Sequence, residues 1–301
     1  LRYRERAARA ERSYDDFFPS LNASYELGEK LLLRAAYART IGRPALNFII
    51  PGITVTSPDV ANPTITVSNV GLKPWIAHNY DLTLESYSFK GAVGSVGVFR
   101  KEIANFFGSR RYPATPGNLA IFGVPDDGGF DSYEIATREN VGDAVMSGFE
   151  LSYRQSLDLL GSWAKGLQVF ANYTKLKVAG SSTAEFTGFN PETASAGINY
   201  VRGRFLVKTT YSFQAEARRN LLGISASIPA GTYDYQAEMS RWNINTEYSF
   251  SPRLSVFISV NDIGGFDFKS LRYSPNTPDW AKGNRTMRMG SFTTLGIKGQ
   301  F

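Results

Sequence analysis

Side chains able to do covalent chemistry are sparse. The chain has one histidine, His78, and no cysteine, which leaves no thiol nucleophile and no repeated-histidine metal cluster. A Ser-His nucleophile pair would have to recruit His78, which sits just before a strand pattern at an external rim. A surface role suits it, with ligand contact as the sharper alternative. Asp126, Asp127 and Asp131, partly separated by Gly128 and Gly129, supply the oxygen ligands a hard cation takes. They lack full calcium-loop spacing, and a solvated turn is the plainer reading. Gly264-Gly265 has no strand-turn-helix context for a phosphate cradle and reads as a turn. Arg34 and Arg154 could meet an anionic ligand, but a polar wall surface accounts for them more simply. No catalytic, cofactor-binding or metal-binding residue is assigned.

The elements around these residues are strands. Ser291-Phe301 alternates with period two: Thr293, Leu295, Ile297, Gly299 and Phe301 share one face, opposed by Phe292, Thr294, Gly296, Lys298 and Gln300. Its length suits a tilted strand crossing the hydrocarbon layer of a membrane. Most of the chain repeats this design. Phe17-Leu27 and Leu31-Ala38 form a hairpin around Gly28-Glu29-Lys30, and strand returns at Asn79-Glu85 and Ser95-Phe107 around a turn at Lys90-Gly91. Further strands begin near Phe149, Leu167, Ala194, Phe205, Trp242 and Leu254, giving eleven principal strands with the last. Short connections (28-30, 89-93, 158-165, 201-204, 251-253) alternate with long ones (40-78, 108-141, 179-192, 214-240, 262-290). Within 40-78, brief strand-like runs occur near Ile53-Thr56 and Thr64-Val67. Gly42-Arg43-Pro44 marks a strand leaving the wall, since proline cannot supply a further ladder hydrogen bond.

Short turns at one end and long loops at the other are the habit of an outer-membrane β-barrel. The two faces agree. Phe17, Tyr25, Tyr37, Tyr80, Tyr153, Tyr173, Tyr200, Phe205, Tyr211, Trp242 and Tyr248 lie near strand ends on the apolar face, where headgroups would satisfy both ring and polar tip. Arg34, Glu85, Glu150, Arg154, Lys208, Asn245, Glu247 and Lys298 line the other face. A soluble sandwich could alternate in this way, but its loops would be shorter and fewer. The expected fold is all-β, an antiparallel transmembrane barrel wall.

Composition sets the outer limits. The 301 residues include 28 Gly, 16 Tyr and 21 Phe, and mean hydropathy is -0.22. No run approaches the roughly 18 apolar residues of a membrane helix, while a barrel needs apolar side chains only on its lipid face. The net charge of +6 could favour an anionic partner. Apart from an Arg-rich start between Arg2 and Arg12, however, the charges are scattered, and no motif reads nucleic-acid bases. Closed bacterial barrels normally have an even number of strands, and an exported protein carries an apolar leader. The odd count and the charged opening therefore predict that a signal peptide and further strands lie upstream.

Several stretches, in order, closely resemble the C-terminal half of TonB-dependent outer-membrane receptors. They are DDFFPSLNASY at 15-25, LLLRAAYARTIGRP at 31-44, GLKPWIAHNYDLTLE at 71-85, SVGVFRKEIANF at 95-106, GFELSY at 148-153 and VFANYT at 169-174. The ending LGIKGQF resembles the family's last strand, and Phe301 matches the terminal aromatic through which the barrel-assembly machinery is thought to recognise its clients. The resemblance implies a 22-stranded barrel closed by an N-terminal plug, with residues 1-301 as its second half. The signal, plug and first half would then lie outside this sequence. It also implies residence in the outer membrane among its lipids, uptake of an iron-siderophore, cobalamin or glycan ligand, and energy from the TonB complex reached through the N-terminal part. Without that part, the chain alone would not transport. A passive porin, an outer-membrane enzyme and a soluble carbohydrate-binding β protein are the competing readings.

Overall fold

The computed structural model describes residues 15-60, 62-87, 89-126, 128-180, 188-223 and 227-299. The Arg-rich start, Asp127 and Phe301 lie outside the described residues. In chain order the elements begin with β1 (Ser20–Gly28), β2 (Leu31–Gly42), the short helix α1 (Leu46–Ile49), β3 (Ile53–Val55) and β4 (Thr64–Val67). Next come β5 (Trp75–Ser86), β6 (Ala92–Pro113), α2 (Pro116–Ile121), β7 (Glu134–Ser156), β8 (Leu167–Gly180), β9 (Glu192–Arg202) and β10 (Phe205–Gln214). The chain continues through β11 (Ala217–Leu221), β12 (Tyr233–Gln236), β13 (Met239–Ser251), β14 (Leu254–Asn261), β15 (Phe266–Tyr273), β16 (Gly283–Met289) and β17 (Phe292–Gly299).

Eleven of these strands form one antiparallel wall in the order β1-β2-β5-β6-β7-β8-β9-β10-β13-β14-β17. They are the eleven strands expected from the alternation, paired as sequential neighbours. The sheet is open, with β1 and β17 as its two ends. Register carries each face across the wall. Tyr25, Leu33, Leu84, Val96, Leu151 and Tyr173 stand in one row. Glu85, Ser95, Ser152, Asn172, Ser195, Ser212 and Arg241 stand in the next, on the opposite face. Large side chains of the apolar face stand exposed: Leu295 is 74% exposed, and Phe205 and Ile258 are each 45% exposed. Neither the 205-213 row nor the 254-260 row lies in a dry core, so this face is the outward one, awaiting lipid.

Three connections are more ordered than the sequence pattern suggested. The stretch 108-141, expected to be a loop, carries strand at both its ends, because β6 and β7 stay paired out to Pro113 and Glu134. Register slips between Ile103 and Phe107, where Asn105 takes φ of 60°. Such a bulge bends and further twists the strand that carries it. The excursions 214-240 and 262-290 likewise contain β11, β12, β15 and β16, which pair as a separate four-stranded sheet. Their sequences, such as Arg218-Arg219 and Tyr233-Asp234-Tyr235, put charge or hydroxyl on both faces and so show no apolar period. The first strand begins at Ser20, three residues after the expected start.

Among the described residues the largest fully buried side chains are Ile65, Leu119 and Ile135, the last on the outer extension of β7. They pack with Val67, Ala114, Val124 and Tyr133. β4 holds this cluster together by pairing with β3 and, in parallel, with β7. A smaller buried group, Ala77, Ile103 and Ala144, lies on the inner face near the bulge, against Trp75, Phe106 and Val178.

Candidate functional site

The inner face is a surface of fixed polar groups. Arg34 Nε donates to Glu85 Oε1 at 2.9 Å, and Tyr87 O–H donates to Glu85 Oε2 at 2.8 Å. Ser152 Oγ donates to Asn172 Oδ1 at 2.9 Å, and Asn172 Nδ2 to Ser195 Oγ at 3.3 Å. Glu247 takes Ser255 Oγ at 2.8 Å and the ammonium of Lys298. Two grooves follow these rows. One, of about 320 Å³, runs along Asn172, Thr174, Thr193, Ser195, Ser212, Gln214 and Arg241; the other, of about 250 Å³, along Asn22, Ser24, Arg34, Asp81 and Thr83. Arg34 is thus engaged by Glu85, whereas Arg154 is exposed on the same inner face.

Aromatic rings interrupt the polar surface at defined places. Phe99, Phe170 and Phe257 each stand opposite a glycine on the neighbouring strand, at Gly148, Gly197 and Gly296. A Cβ at Gly148 or Gly197 would come within 2.7 Å of the facing ring, and one at Gly296 would overlap the ring of Phe257. The rings therefore lie flat over bare backbone and fill the inner surface without projecting far from it.

At the external end of β13, Arg241 makes a two-pronged ion pair with Asp262, with Nη2–Oδ2 at 2.9 Å. Asp262 is only 9% exposed and takes φ of 57°, a left-handed conformation uncommon outside glycine. Its N–H donates to Asn243 Oδ1 at 3.0 Å, and its carbonyl accepts from Gly265 N–H at 2.7 Å and Ser291 Oγ at 2.7 Å. Gly264-Gly265 is thus a turn, as expected, and it starts the external β15–β16 hairpin.

The external layer has two parts. Over β5–β7, a groove of about 250 Å³ is lined by Asn47, Phe48, Ser68, Arg111 and Arg138 among others. Arg138 lies 4.5 Å over the Phe48 ring, and Arg111 Nη1 donates to Glu134 at 3.0 Å. In the four-stranded sheet, Tyr235 and Tyr273 stack at 3.8 Å, Lys282 sits 4.8 Å over Tyr273, and Arg218 sits 4.6 Å over Tyr233. Burial, reinforced by a hydrogen bond to Glu216, pushes the Tyr273 phenol far above its ordinary range. Lys282 holds Asp279 below the usual carboxylate range through their 2.6 Å ion pair.

The remaining sequence candidates do not form a reactive centre. His78 stands on the outward face at the rim, its Nδ1 2.9 Å from the Tyr37 hydroxyl and its ring stacked on Tyr37. Asp126 Oδ1 accepts from Gly128 N–H at 3.1 Å, closing a turn. Among the described residues, no group of three or more His, Asp or Glu side chains converges as a metal site. Sequence reasoning missed Arg241–Asp262, Arg138–Phe48 and the stacked tyrosines. For Arg241 a signal existed: a charge in the inner-facing phase of a strand, with an aspartate just past the next strand.

An open antiparallel wall, apolar outside and polar inside, with every long connection at one end, defines an outer-membrane-type β-barrel segment. The sequence matches the family described as TonB dependent receptor-like, beta-barrel, over residues 1–263, and the chain belongs to that family, one of receptor barrels and not of enzymes. No curated protein matches it. Among solved structures it is similar to the ferric enterobactin receptor PfeA of Pseudomonas aeruginosa in complex with enterobactin (20% identity, TM-score 0.70, 95% of this chain and 41% of that one). It is also similar to the siderophore receptor PirA of the same organism (18%, 0.61, 95% and 42%), and to the copper transporter OprC (14%, 0.62, 94% and 39%). The chain thus spans about two fifths of the length of these receptors.

Proposed function

We propose that this chain is part of the wall of an outer-membrane receptor that imports a scarce ligand with energy relayed by TonB. The observation that carries the reading is the fixed, charged inner face at Arg34–Glu85, Glu247–Lys298 and Arg241–Asp262, which suits a plug seated against it. The plug, the signal and the first half of the barrel would come from sequence outside this chain. Capture would fall to the external layer and the plug's outer surface, and an iron-siderophore, a vitamin or a glycan would be the ligand. Insertion into the outer membrane would rely on recognition of Phe301 by the barrel-assembly machinery.

The test uses the full-length protein in hosts with and without TonB, fed ferric enterobactin, cobalamin or oligosaccharide as the limiting nutrient. Uptake of one of these only where TonB is present is the expected result. Equal passage in both hosts would establish the passive-porin reading instead.

A further inference from the structure

The outward face changes character along one row. Reading up β6 from its short turn, the outward residues are Ala92, Gly94, Val96 and Val98, and then Arg100. The partners of Arg100 continue the row: Tyr37 and Tyr80 on one side, Ser147 and Lys177 on the other. Ala92 and Arg100 are eight residues apart. At ~3.4 Å per residue and a tilt of ~40°, Arg100 stands ~21 Å above the turn, close to the ~25 Å height of a barrel's apolar band. The next short turn, at the same end as Ala92, carries the exposed Leu159, Leu160 and Trp163. Arg100 and Lys177 therefore sit where hydrocarbon gives way to the headgroups of the outer leaflet.

We propose that Arg100, Ser147 and Lys177 form a site for the phosphate of a phosphorylated glycolipid in the outer leaflet. Two cations flank a hydroxyl on three adjacent strands, ~10 Å apart in backbone, and their long side chains can close over one phosphate. Among the described residues Arg100 commits only its Nε, to Glu102 at 2.7 Å, which leaves the outer edge of the guanidinium for a two-pronged phosphate contact. Lys177 is exposed and makes no ion pair among the described residues. Its neighbour Lys175 is held 3.6 Å from Glu192 and stands outside the site. Tyr37 and Tyr80, with centroids 5.3 Å apart, complete the row as the aromatic pair expected at headgroup level. The cations are local. At the external ends of β10, β13, β14 and β17 the outward positions are Phe213, Ser240, Trp242, Val260 and Thr293, so an evenly solvated rim does not explain the cluster.

The inference rests on the outer-membrane reading, and the experiment separates the two. The full-length receptor, extracted in detergent, is titrated with diphosphorylated lipid A and followed by native mass spectrometry, with inorganic phosphate as a parallel arm. Arg100→Gln/Lys177→Gln should weaken lipid A binding about thirtyfold, the effect of two basic residues at an anionic lipid surface. Lys165→Gln, in a short turn at the far end, should leave it unchanged. Heat-modifiable gel mobility confirms that each variant is folded. Equal lipid A affinity in folded wild type and double variant overturns the proposal, as does equally tight binding of inorganic phosphate alone. A protein recovered soluble without detergent would overturn the outer-membrane reading along with it.

Discussion

Replacing Gly296 with alanine should destabilise the wall through a single obstacle, the ring of Phe257. The three atoms nearest to a Cβ built on Gly296 all belong to that ring, the third at 3.4 Å. Overpacking of this kind costs about 1–3 kcal/mol. Removing the ring with Phe257→Ala forfeits its packing over the glycine but opens the space the new methyl needs. The double variant Gly296→Ala/Phe257→Ala should then be more stable than the sum of the single losses predicts, by about 1–2 kcal/mol. Gly148 and Gly197 provide the contrast. There the added Cβ also overlaps backbone, the Lys175 carbonyl at Gly148 and the Thr209 carbonyl at Gly197. Deleting Phe99 or Phe170 leaves that clash in place, so these pairs should show little rescue. The assay is a double-mutant cycle on the full-length protein in detergent, read as the temperature at which heat-modifiable mobility is lost. If Gly296→Ala costs the same with and without Phe257, the ring is not the obstacle and the inner-surface interlock is wrong.

Other expectations follow from the same geometry. Arginine at outward-facing Ile258 should cost about 2–4 kcal/mol in a bilayer, whereas arginine at its inner-facing neighbour Ser259 should cost far less; urea titration in liposomes measures both. Asp262→Asn should break the ion pair with Arg241 and expose residues 262-291 to trypsin faster than in wild type, with ligand-free protein sufficient for the comparison. Tyr273 holds its proton more tightly when folded, so its contribution to stability is complete below the ordinary phenol pKa of ~10 and falls as pH rises past it. Alkaline titration should loosen the external four-stranded sheet, as read by hydrogen exchange, and Tyr273→Phe should remove that sensitivity.

The wall was readable because lipid and water impose opposite demands on alternate residues. Leu295 and Lys298 in β17, or Ile258 and Ser259 in β14, declare their faces without reference to any partner strand. The external sheet lacks that signal, since neither face of Tyr233-Asp234-Tyr235 meets lipid or a dry core. The extension of β6 and β7 past Phe107 was hidden for a related reason: the bulge at Asn105 breaks the period just where the wall ends. Which residues meet across strands was not legible, even where, as for Arg241, the sequence marked a charge on the inner face. Phe257 over Gly296 and Arg241 against Asp262 depend on register, which alternation constrains in parity but not in position. Of the candidate residues, Arg34 emerged as a structural partner of Glu85, and His78 as part of a rim contact with Tyr37.

The cluster around Ile65, Leu119 and Ile135 gives the external loop layer a small hydrophobic heart of its own. Loops so anchored have surrendered most of their conformational freedom before any guest arrives. A molecule docking there would find a preformed shape, with little ordering left to accomplish. Selectivity there would then come from fit and charge, and a guest of the wrong outline would be turned away at the threshold rather than accommodated.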